Sequence, residues 1–126
     1  MKTKPLFIAT ALIEAGAGLG LLASPALAVS ILIGAPFDTP AGSVVGRVAG
    51  AALLALALAS WRARDDGHTR AAAGIVSAML LYNVVVGLLL TYAGTSLRLF
   101  GVALWPAVAV HAVMALWCSA TLMKNR

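Results

Sequence analysis

The sequence predicts an all-α fold, an antiparallel bundle of four transmembrane helices with a short outer interfacial helix between the first two. Three observations carry that expectation. The chain is 62% hydrophobic and 10% charged over 126 residues, where soluble domains average about 45–50% and about 25%. Its apolar residues gather into runs of about 20, the length that crosses a bilayer at a helical rise of about 1.5 Å per residue. The segments "RARDDGH" (62–68) and "AGTSLR" (93–98) are short, so the helices they join are antiparallel neighbours. A chain of this length, with no linker or repeat, forms one membrane domain.

The spans are expected at 5–23, 41–61, 69–92 and 99–123. Runs this long in hydrocarbon must be helices, because an open sheet edge cannot satisfy its backbone there. The first contains Glu14 in "ALIEAGAGLG", roughly 12 Å along the helix and so near the midplane. An ionised carboxylate at that depth costs several kcal/mol unless it finds a partner or a proton. "SPALA" (24–28) resembles a signal-peptide cleavage site. Glu14 argues against that reading, and the first span is expected to stay.

"ALAVSILIG" (26–34) is apolar but too short to span, and Gly34 and Pro36 end it. Thr39 or Ser43 is placed to cap the second span, with Pro40 in its first turn. That span opens with Gly42, Gly46 and Gly50 on one helical face. Gly16 and Gly20 give the first span the same spacing. Small residues let helix backbones approach closely in lipid, so these glycines are expected to pack the first two spans together, with homodimerisation the alternative. Arg47 lies about two turns inside the second span. It is expected to snorkel outward as an anchor, with Asp38 or a headgroup anion in reach.

The third span carries Asn83 beside Tyr82, an amide expected to bond across helices. The fourth carries His111, by depth the best-placed partner for Glu14. Pro106 is expected to bend this span and to free the carbonyl of Val102, a local acceptor for His111 in the blander reading. Trp61, Tyr92, Phe100, Trp105 and Trp117 read as interfacial aromatics.

The net charge of +5 does not point to nucleic acid. Lys2, Lys4, Arg62, Arg64, Arg70, Lys124 and Arg126 flank the apolar runs without interleaved aromatics. Their bias places both termini on the cytoplasmic side. The lone Cys118 excludes an intrachain disulfide, lies in apolar surroundings and is expected to be inert. Asp65, Asp66 and His68 lack the partners for a metal site. No cofactor or metal is expected, and nothing resembles a nucleophile–base triad.

Helix count, size and the position of Glu14 resemble the small multidrug resistance transporters. That family's aromatic residues around the carboxylate have no equivalents here, and its dual-topology members need nearly balanced loop charges. "LIEAGAGLGLLASP", "GRVAGAALLALALASW" and "MLLYN" resemble uncharacterised four-pass bacterial membrane proteins that are distantly DoxX-like. This resemblance implies an inner-membrane bundle, in some members an accessory partner, and transfers no catalytic residue. Three functions follow as expectations. One is an accessory protein whose small-residue faces bind a membrane-protein partner or a second copy. Another is a small-molecule or proton-coupled carrier using Glu14 with His111, and with Asn83 and Arg47 as further ligand candidates. The third, an enzyme acting on a lipid or quinone, has the thinnest residue inventory.

Overall fold

The computed structural model describes residues 3–124; Lys2 and Arg126, counted above in the charge bias, lie outside that range. The chain forms α1 (Lys4–Ala23), α2 (Pro25–Ile33), α3 (Pro40–Ala63), α4 (Arg70–Thr95) and α5 (Leu104–Lys124). Among the described residues all but α2 are long and apolar enough to span a membrane, which makes four crossings. The protein is a small multi-pass membrane protein.

Local chemistry sets the helix ends. Thr39 caps α3 by accepting from the Gly42 amide at 3.0 Å, with Pro40 following. Thr69 caps α4 by accepting from the Ala72 amide at 3.1 Å. Such caps satisfy amides that have no partner within the helix. Gly34 ends α2 in the left-handed region, with φ of 68°. A side chain there would also run into the Phe100 carbonyl.

Two pairs build the bundle, α1 against α3 and α4 against α5. The first is close because Gly18 and Gly50 face each other. A Cβ on either would fall 2.8 Å from the other's carbonyl oxygen. At the end that carries the α3–α4 turn the two pairs meet. Leu6 and Phe7 pack there with Ala63, Met79, Met114 and Cys118 in one buried cluster. Lys4 closes this end, its Nζ donating to Asp65 Oδ1 at 2.7 Å.

At the other end the pairs splay, and α2 bridges them. The Gly101 amide donates to the Leu32 carbonyl at 3.2 Å, and the Ala103 amide to the Ile31 carbonyl at 3.0 Å. The chain passes so near α2 that a Cβ at Gly101 would collide with the Ile31 carbonyl.

Several expectations are corrected. Residues 99–103 are not the start of the last span: the Gly101 and Ala103 amides serve the clasp on α2, and α5 begins at Leu104. Pro106 therefore sits in the first turn of α5, where its missing N–H has no carbonyl to reach, and it does not lie mid-helix to kink it. Gly16 and Gly20 are exposed, with nothing within 4 Å of a Cβ built on either. Gly18 provides the close approach on α1 instead. On α3, Gly50 meets α1, Gly46 meets Pro25 and Phe37, and Gly42 meets Phe37 and the Thr39 cap.

Candidate functional site

Between the two helix pairs, under α2, lies a cavity of about 880 Å³. Ligand pockets commonly measure about 300–1,000 Å³. Gly16, Gly20 and Ala17 line it from α1, Leu53 from α3, Val86 from α4 and Ala107 from α5. Small residues on α1 and α5 explain the room: where Leu or Phe would fill the seam, these positions offer a methyl group or nothing. The cavity is open along α1, α2 and α5, where Ile13, Leu27 and Val110 are 39%, 59% and 40% exposed.

Apart from Ser24, the polar side chains on its wall are Tyr82 of α4 and His111 of α5. The rings meet edge to face with centroids 5.6 Å apart. A buried partner holds each. His111 Nδ1 lies 2.8 Å from Asn83 Oδ1, and Asn83 Nδ2 donates to the Met79 carbonyl at 2.8 Å. The Tyr82 hydroxyl donates to Glu14 Oε2 at 3.4 Å, long for a bond between oxygens.

Glu14 and Asn83 are only 3% and 2% exposed. Both stand behind the two rings rather than on the cavity wall. The expected direct Glu14–His111 pair is absent among the described contacts, because the Tyr82 side chain lies between α1 and α5 and takes the carboxylate itself. His111 bonds to Asn83 and does not use the Val102 carbonyl. The sequence thus named three of the four polar residues and missed Tyr82. Its signal was available: a tyrosine midway between Arg70 and Thr95 is too deep for an interfacial belt.

Arg47 has no part in this site. Its Nη1 donates to Ser43 Oγ at 2.6 Å and its Nε to the Leu22 carbonyl at 3.2 Å. It neither pairs with Asp38 nor bends to Glu14; it clamps α3 to the C-terminal turn of α1, where carbonyls have no helical donor and a cation is favourable. Cys118 is a buried free thiol within the apolar cluster. Among the described residues no group of three or more His, Cys, Asp or Glu could hold a metal ion.

A second polar feature runs along the α1–α3 seam. Ser77, Thr91, Thr95, Ser119 and Thr121 each donate to the carbonyl four residues back. Thr10 and Ser60 do not, and their hydroxyls are buried without a partner. The antiparallel register that pairs Lys4 with Asp65 and Gly18 with Gly50 brings these two level, one turn of α1 from Glu14.

Neither a family model, nor a curated protein, nor a solved structure matches this chain, so function is read from the geometry.

Proposed function

We propose that this protein is an intramembrane carrier of a lipophilic small molecule, held between the α1–α3 and α4–α5 pairs. The observation that carries this reading is the cavity. It is apolar on most of its wall, open to the side, and has Tyr82 and His111 together at one corner. Apolar walls with few polar groups fixed in place are what a ligand site needs. Glu14 and Asn83 then act as positioning residues, orienting the tyrosine and the histidine from behind. With both termini on the cytoplasmic side of a bacterial inner membrane, the cavity occupies the outer half of the bilayer.

Native mass spectrometry of protein extracted in mild detergent tests the proposal. Wild type should retain a small lipophilic molecule that Ala107→Trp, which places an indole in the cavity, does not. Glu14→Gln should weaken retention without abolishing it, because its effect passes through Tyr82. Equal adducts in wild type and Ala107→Trp, or none in either, would remove the carrier reading.

One observation favours the accessory role as a second reading. Ala71, Gly74 and Ala78 are exposed at three- and four-residue spacing on α4, a surface on which another helix could pack closely. Under that reading the protein should leave the membrane with a partner or as a dimer. Gly16 and Gly20, also exposed, line the cavity.

A further inference from the structure

The directions of three hydrogen bonds restrict what the cavity can hold. Asn83 Nδ2 donates to the Met79 carbonyl, which turns Oδ1 toward His111. An amide oxygen only accepts. His111 Nδ1 must then carry the proton, and the neutral imidazole keeps a bare lone pair on Nε2. No described residue bonds to Nε2. The Tyr82 proton points away to Glu14, leaving the phenol oxygen's lone pairs. Both donors at this corner are turned inward, so the Tyr82–His111 corner offers the cavity acceptors.

Charge narrows the choice further. Among the described residues no lysine, arginine, aspartate or glutamate lines the cavity. An anionic head would face two acceptors with a carboxyl group behind them. A cationic head would have no counter-ion in contact, because Glu14 is 3% exposed and Tyr82 stands in front of it. Either charge would be left unpaired in an apolar medium, which is strongly unfavourable. An uncharged head with an O–H donor meets neither problem, while the rest of the molecule fills the apolar space.

We infer that the ligand is a neutral lipophilic alcohol whose hydroxyl donates to His111 Nε2. The inference rests on the carrier reading above and assigns its ligand class. The Asn83–His111 bond is the specificity device: it fixes the tautomer so that ethers, esters and ketones of the same shape find no donor at the His111 ring.

The test compares cetyl alcohol with cetyl methyl ether at equal mole fraction in nanodiscs carrying the full chain, read as the shift in unfolding temperature. One hydrogen bond predicts about tenfold tighter binding of the alcohol. Its shift should therefore exceed that of the ether. In His111→Phe, which keeps a ring but loses the acceptor, the two shifts should become equal. Equal shifts in wild type, or a larger one for the ether, would overturn the alcohol assignment and leave the carrier reading standing. No shift with either probe would remove both. Imidazole nitrogen NMR of a His68→Gln protein checks the tautomer independently of folding in the His111 variant. A protonated Nε2 on His111 would overturn the assignment.

Discussion

The two ends of the bundle are built on opposite rules. At the end that carries the α3–α4 turn, Leu6, Phe7, Met79, Met114 and Cys118 close the seam between the helix pairs. At the α2 end the same seam is lined by Gly16, Ala17, Gly20 and Ala107 and stays open. The pairs splay toward the α2 end, and the small side chains there do not fill the space between them. In lipid, where apolar surface gains little by leaving one hydrocarbon for another, close packing holds helices together. A stretch of small residues facing other small residues across a gap therefore stays a gap. One end is a packed foundation, the other a cavity bordered by α2.

The sharpest way to break this arrangement is at the α1–α3 crossing that both ends share. Gly50→Val places new atoms against the Gly18 carbonyl and the Leu22 amide, and backbone cannot yield as a side-chain tip can. A loss of about 3 kcal/mol or more is expected in SDS unfolding of the bicelle-folded protein. Gly16→Ala makes the matching control, since nothing lies within 4 Å of its Cβ. It should be neutral or stabilising by up to about 1 kcal/mol through helix propensity.

Next in size is the contrast between filled and unfilled seam. Met79→Ala removes atoms from the closed end, where Met79 is 2% exposed, and should cost about 2–3 kcal/mol. Val86→Ala removes atoms that face the cavity, and should cost less than about 1 kcal/mol because the space beside it is already empty. Similar losses from both would mean that the cavity is closed in the membrane.

The polar groups sharpen the comparison at a finer scale. A double-mutant cycle on Asn83→Leu and His111→Phe should give a coupling of about 1 kcal/mol, the size of interhelical hydrogen bonds in membranes. Thr10→Val and Ser60→Ala should act in the opposite direction. Their hydroxyls are buried without a partner, so their removal should raise stability by up to about 1 kcal/mol. A loss in either variant would show that the hydroxyl has a bonding partner in the membrane.

Much of this was legible in the residues. Hydropathy fixed the four crossings, the Thr39–Pro40 pair and Gly34 marked helix ends, and Glu14, Asn83 and His111 stood out as polar residues at depth. What failed was the assignment of partners. Spacing places Gly16, Gly18 and Gly20 on one turn, but only the crossing geometry selects Gly18 for contact and leaves the other two to the cavity. Depth alone paired Glu14 with His111. It cannot show that the third span inserts Tyr82 between them, because depth carries no information on azimuth. Pro106 read as a kink because the apolar run was extended through residues 99–103, which look helical in composition. The Gly101 and Ala103 amides are instead taken by the Leu32 and Ile31 carbonyls, a tertiary contact with no local signature.

The smallest expected effect separates the fastenings at the two ends. The hydrogen bond from Lys4 Nζ, with the charges of Lys4 and Arg64 behind it, holds the Asp65 carboxyl below the usual carboxylate range. A carboxylate so lowered adds stability that is complete at neutral pH. The contribution is lost as pH falls through its folded value, below about pH 4. Asp65 is exposed, so water and salt screen the pair and the gain is small. The clasp of α2 on residues 101–103 consists of backbone hydrogen bonds and contains no titrating group. Acid should therefore loosen the turn end alone. Hydrogen exchange at low salt should show faster exchange around Lys4 and residues 64–69 between pH 5 and pH 3, after correction for the intrinsic rate. Exchange at Gly101 and Ala103 should not change. The difference should vanish in Asp65→Asn and shrink at high salt, and equal acceleration at both ends would mean that the fastenings are not independent.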